Sequence, residues 1–208
     1  MSDKTVVHLV RHGEVHNPEK VLYERLDGFE LSNLGHEMAR TTAKAFTNRD
    51  VTEIITSPLT RAKQTAKPIA EQLGLPISID ERIIEAGNVF AGKRVSVGDG
   101  ALRDPRNWWH LRDPFTPSWG EPYTQVAGRM RDAIAGAREK AAGREIVLVS
   151  HQLPIWMARL DAEGRRLPHN PRSRQCTLAS VTSLVFDGSK LVALEYQEPS
   201  AHLLPIKR

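Results

Sequence analysis

A single cysteine, Cys176, stands among 208 residues. It has no partner for an internal disulfide and belongs to no cysteine-rich zinc site. Cys176 is therefore expected to be an ordinary residue of the fold. No window approaches the roughly 18 apolar residues that a membrane helix requires, so no membrane span is expected. Met1-Ser2-Asp3-Lys4-Thr5 runs into an apolar strand without an apolar signal region, which predicts a cytoplasmic location. Charge of one sign is not in large excess: 29 Lys and Arg against 25 Asp and Glu leave a net +4. Nucleic-acid binding would need basic residues clustered on one face, among aromatics. The densest basic cluster, Arg165, Arg166, Arg172 and Arg174, lacks them. It is expected to be a solvated loop, or secondarily a border that attracts anionic substrate. No G-x-S-x-G elbow and no P-loop motif occurs, so serine-hydrolase and P-loop chemistry have no support. Repeats, linkers and low-complexity segments are missing too.

What is there alternates between strand and helix signals. Val6–Val10, Val51–Thr56, Ile77–Ile79 and Ile146–Ser150 are short Val/Ile/Leu-rich runs, expected to be buried strands covered on both faces. Leu34–Phe46 carries a helical apolar pattern behind a capping Ser32. Ser57-Pro58 looks like a capping serine followed by proline in the first turn, predicting a helix to Leu73 that stops at Gly74. Further helices are expected over about Tyr123–Ala142 and Leu153–Asp161. Ser180–Phe186 and Leu191–Tyr196 flank Asp187-Gly188-Ser189-Lys190, a hairpin signal. The pattern predicts one α/β domain over residues 1–208, layered around a mostly parallel sheet with helices on both faces. A C-terminal antiparallel hairpin completes that sheet. Residues 87–122, with Trp108, Trp109 and Trp119, are expected to form a mostly helical insert over the site.

Four segments carry chemistry. Leu9-Val10-Arg11-His12-Gly13-Glu14 sets a histidine beside an arginine where a buried strand ends. The edge of an open α/β sheet is where ligands bind. Thr56-Ser57-Pro58-Leu59-Thr60-Arg61 adds an arginine, Arg82-Ile83-Ile84-Glu85 a carboxylate, and Val147-Leu148-Val149-Ser150-His151-Gln152 a second histidine. Each motif is modest; the ordered set resembles the histidine phosphatase superfamily, in its phosphoglycerate mutase-like branch, from about Thr5 to Gln152.

The residue types fit phosphate-ester chemistry without a metal or other cofactor. His12 is the expected nucleophile, and nearby cations help keep its ring neutral. Arg11 and Arg61 can each grip phosphate oxygens in a bidentate way. His151 is the expected fourth wall, donating as an imidazolium. Gln152, whose amide follows His151, is a further substrate contact. The residues alone leave Glu14, Glu81, Glu85 and Glu121 open as the general acid. The resemblance implies Glu85, in an Ile-x-Glu context before a glycine-containing loop. It also implies a binding role for Asn17. Glu14 is expected to serve the turn, and Glu81 to pair with Arg82 at the surface. His8 shares a strand face with His12 but sits ~13 Å away, too far for joint metal ligation. His16, His36, His110, His169 and His202 show no partners and are expected at the surface.

The resemblance therefore implies a phosphomonoester hydrolase acting on a small phosphorylated metabolite through a phosphohistidine. The alternatives are a phosphoglycerate mutase with the same site, for which the chain is short, and a non-catalytic phospho-ligand module. The partner is expected to be a small phosphate ester, not nucleic acid or membrane. The oligomeric state is left open, with a homodimer one option.

Overall fold

The computed structural model describes residues 4–96, 99–100 and 119–204. Eight strands, β1 (Lys4–Arg11), β2 (Val51–Thr56), β3 (Ile77–Ile79), β4 (Val95–Ser96), β5 (Asp99–Gly100), β6 (Glu145–Ser150), β7 (Val181–Asp187) and β8 (Lys190–Gln197), accompany four helices. The helices are α1 (Asn33–Ala43), α2 (Thr60–Leu73), α3 (Tyr123–Lys140) and α4 (Gln152–Ala162). Six strands make one sheet in the order β3-β2-β6-β1-β7-β8. β1, β2, β3 and β6 run parallel, and the C-terminal hairpin β7–β8 adds antiparallel to β1. β4 and β5 pair separately.

Alternation along the strands separates two apolar layers. Val7 and Leu9 of β1, with Ile146 and Leu148 of β6, pack against Met130, Ala133 and Ile134 of α3 and Ile155 and Ala158 of α4. Val10, Val147 and Val149 face the other way, onto Ala62, Ala66 and Ile69 of α2, Ala43 at the end of α1 and Phe46 just beyond it. Each such fully buried large side chain stabilises the fold by roughly 1.5–3 kcal/mol before entropy is counted. This is the expected α/β layering, with the C-terminal ends of the parallel strands on one edge.

Local signals mostly decide the element ends. Ser32 caps α1, its hydroxyl accepting from the Gly35 amide at 3.0 Å. Gly74 closes α2 at φ +66°, in the left-handed region that favours glycine. Two expectations need correction, on the start of α2 and on β3, and the structure adds a role for His8. α2 starts at Thr60 behind Leu59, without a side-chain cap; the Ser57 hydroxyl bonds His151 at 2.7 Å and accepts the Leu59 amide at 3.4 Å, short of the helix itself. β3 is not buried: it pairs on one side only, at the sheet edge, and Ile77 and Ile79 are 36% and 55% exposed. His8 is buried, bonded through Nδ1 to Ser183 at 2.8 Å and through Nε2 to Glu145 at 2.9 Å. That Ser–His–Glu set staples β7 and β6 across β1; fully buried His8 and Ser183 offer no face to a substrate. The core of the expected helical insert, with Trp108, Trp109 and His110, lies outside the described residues.

Candidate active site

The parallel register of β1 and β6 pairs Arg11 with Ser150. The next residues, His12 and His151, therefore emerge side by side from the same face. Their ring centroids are 5.2 Å apart and both residues are buried. The His12 amide donates to the Ser150 carbonyl at 3.1 Å, which prolongs the ladder to the site. Beyond His12 the chain must turn under α1. A β-carbon on Gly13 would lie 2.6 Å from the Gly35 carbonyl oxygen, and one on Gly35 would lie 2.0 Å from the Glu14 carbonyl oxygen. Only two glycines allow this approach. The Gly13 amide also donates to Thr65 Oγ1 of α2 at 3.1 Å, so both helices fix the turn that carries His12.

His12 Nδ1 lies 2.7 Å from its neighbour's carbonyl, Gly13 O. A carbonyl only accepts, so Nδ1 carries the proton and Nε2 keeps the lone pair. Burial first, then the charges of Arg11 and Arg61, hold the His12 pKa well below the usual imidazole value, against the opposing Gly13 bond. Arg61 is 1% exposed, fixed at the start of α2, and its guanidinium donates to the Glu24 carbonyl. It also lies 4.8 Å from the Tyr23 ring centroid. Arg11 Nη1 donates to the Cys176 carbonyl at 2.7 Å. Arg11 Nε, Arg61 Nε and His151 Nδ1 are buried polar atoms with no protein partner among the described residues. Three unsatisfied nitrogens beside one nucleophilic nitrogen suit a tetrahedral oxyanion. Burial, then His12, Arg61, Arg11 and Arg129, hold His151 below its ordinary pKa. The expected imidazolium is thus disfavoured in this arrangement, and only an incoming anion would favour it.

A cavity of about 340 Å³ opens over Arg11 and His12, lined also by Tyr23, Glu85, Gln152 and Arg174 among others. Glu85 is 9% exposed and accepts the Ala86 amide at 2.8 Å. Burial raises its pKa above the usual carboxylate value, against that amide and Arg61, Arg11 and Arg174. The rival carboxylates are otherwise engaged. Glu14 accepts the Ser32 hydroxyl at 2.5 Å. Glu121, which also lines the cavity, accepts from Arg25 at 2.7 Å and Arg129 at 2.9 Å. Arg82 pairs with Asp80 at 2.7 Å, so the expected Glu81 pair is wrong; Asp80 already caps that turn. Asn17 does not itself line the cavity but braces the loop that does, donating to the carbonyl of the lining residue Val21 at 2.8 Å and accepting from its amide at 3.2 Å.

Arg174 follows the secondary expectation for its cluster, a border of the site, while Arg165, Arg166 and Arg172 are exposed: it is half-buried, lines the cavity and donates to His169 Nε2 at 2.8 Å and Gln152 Oε1 at 3.4 Å. His169 accordingly has a partner and a half-buried place, against expectation. Glu24 lines the same cavity from the loop after β1, with its carboxylate accepting from Asn88 at 3.1 Å. Its backbone takes φ +31°, uncommon for a residue with a β-carbon. Nothing in the local pattern Leu22-Tyr23-Glu24-Arg25 marks it.

A parallel sheet edge that presents two histidines and buried arginines defines a class before any comparison. The chain belongs to the histidine phosphatase superfamily, branch 1, whose family model matches residues 7–199. It is 55% identical over 201 residues to Rv0525, an uncharacterized protein of Mycobacterium tuberculosis, covering 97% of this chain and 100% of that one. It is 30% identical over 186 residues to GpmB of Yersinia pestis, a probable phosphoglycerate mutase, covering 84% of this chain and 83% of that one. The solved mycobacterial glucosyl-3-phosphoglycerate phosphatase Rv2419c superposes with a TM-score of 0.70 at 25% identity, over 94% of this chain and 98% of that one. Phosphatases and mutases thus both occur among its relatives.

Proposed function

We propose that this protein hydrolyses a small phosphomonoester through a phosphohistidine on His12. The observation that carries the reading is the Nδ1–H bond of His12 to Gly13, which leaves Nε2 free as the nucleophile beside Arg11 and Arg61. Nε2 attacks phosphorus, and the phosphorus–oxygen ester bond breaks. Arg11, Arg61 and His151 hold the three equatorial oxygens as charge redistributes. The leaving alkoxide takes a proton from a cavity carboxylic acid, assigned to Glu85. Water then attacks the phosphohistidine, gives its proton to the same carboxylate, and releases phosphate as the phosphorus–nitrogen bond breaks. The charge of the arginines supplies what a metal ion would otherwise supply.

Return of the phosphoryl group to bound product, in place of water, would make a mutase. The test is trapping with labelled substrate. An acid-labile, base-stable adduct that disappears in His12→Ala is expected. Wild-type turnover without an adduct, or full activity in His12→Ala, would overturn it. A panel of phosphorylated metabolites, assayed for phosphate release and for 3- to 2-phosphoglycerate interconversion, separates the two outcomes.

A further inference from the structure

Glu24 is a cavity carboxylate that the chemistry above leaves unused. It lines one cavity with Glu85 and His12. Its backbone is held in the left-handed region while its carbonyl accepts from Arg61, the buried phosphate-site arginine. Strain of this kind persists only where surrounding contacts over-determine it, and it concentrates at functional sites. Asn88, three residues past Glu85, orients the carboxylate through Oε1 at 3.1 Å. A phosphate-binding pocket gains nothing from a second carboxylate as an anion contact, since it would repel the phosphoryl group. A second carboxylate that carries a proton is different: it donates, and it repels nothing.

We propose that Glu24 is a second proton-carrying group of this site and shares one proton with Glu85. Two carboxyls that line one cavity and feel one another's charge titrate as a pair, with macroscopic values that belong to neither alone. The surroundings agree. Burial first, then the Glu85 charge, raise Glu24 to about 7, while the Asn88 bond, Arg61 and Arg174 lower it. Arg61 reaches the pair from α2, Arg11 from β1 and Arg174 from the loop before β7. Tyr23, the neighbour on the same loop, is pushed up by burial and by both carboxylates, against Arg11 and Arg61. One carboxyl of the pair is thus protonated and one ionised near neutrality. The protonated member gives its proton to the leaving alkoxide. The other then sits beside a new like charge, which strengthens the pair as a base toward the attacking water. Proton count is restored when that water is cleaved.

The pair rests on the phosphohistidine reading, and its test is separate from it. Glu24→Gln removes the like charge, so Glu85 loses its proton at lower pH. With a simple alkyl phosphate, the basic limb of kcat/KM is expected about one pH unit lower than in the wild type. At pH 8 that is about a tenfold loss, shrinking toward pH 5.5. With p-nitrophenyl phosphate, whose leaving group needs no proton, phosphorylation changes much less. Glu24→Asp keeps the charge and restores the limb. A wild-type profile in Glu24→Gln, or a loss that is the same at every pH, overturns the pair while the His12 adduct still forms. Absence of that adduct in the wild type would instead overturn the parent reading. Should Glu24→Gln fail to fold, a His12→Gln/His151→Gln double variant, which removes both imidazoles that a bound anion would protonate, supplies the test through calorimetry of sulfate binding in two buffers of different ionisation enthalpy. Sulfate does not titrate in this range, so a shared proton gives an uptake of about half a proton near pH 7. An uptake near zero overturns the proposal.

Discussion

The rings of His12 and His151 lie 5.2 Å apart because adjacent parallel strands end in register, Arg11 opposite Ser150. Two imidazoles this close, both buried, cannot both be charged without large cost. Each is held below its ordinary pKa, by burial first and then by cations. The unfolded chain takes up protons on both as pH falls through about 6.5, and the folded chain does not. Stability is therefore expected to hold above pH 6.5 and to decline steadily below it. Urea midpoints between pH 8 and 5 measure this. His12→Gln should flatten the decline, and an unchanged slope would refute the assignment.

Arg61→Ala is expected to lose at least ~2–4 kcal/mol of transition-state stabilisation, about 30- to 1,000-fold in kcat. Arg174→Ala should cost less, about tenfold in kcat/KM, since His12 responds to Arg11 and Arg61 and not to Arg174. Because Arg174 is half-buried against His169 and Gln152, its effect should be nearly independent of salt. Steady-state kinetics at two ionic strengths decide this. Equal losses would place the phosphate elsewhere.

Gly35→Ala tests the packing under the site. Its β-carbon would meet the Glu14 carbonyl oxygen at 2.0 Å, which backbone must move to relieve. A loss of at least about 1–3 kcal/mol is expected. Thermal melts read it as a fall of several degrees, with activity reduced at permissive temperature as His12 shifts. Gly128→Ala, where a β-carbon meets nothing within 4 Å, is the control.

Chelation by EDTA is expected to leave activity largely intact, because Arg11, Arg61 and His151 can neutralise the phosphoryl group. Complete loss that returns with a divalent metal would contradict this chemistry.

Much was legible in the chain itself. Alternating apolar runs, Ser32, Gly74 and the Asp187–Lys190 turn located the strands, a cap, a stop and the hairpin, because these signals act within a few residues. The ordered motifs around His12, Arg61, Glu85 and His151 indicated the family for the same reason. What lay beyond was set by contacts between distant segments. Ser57 looked like a cap, yet its hydroxyl serves His151, 94 positions along the chain. The basic cluster left a solvated loop and a border of the site both open, and the fold alone set Arg174 against Gln152 at the cavity. Glu24 carried no local mark at all. Sheet register placed the two imidazoles together, and burial by separate loops made a second carboxylate a proton carrier. Proton affinity depends on how much water and charge surround a group, and only the folded chain determines that.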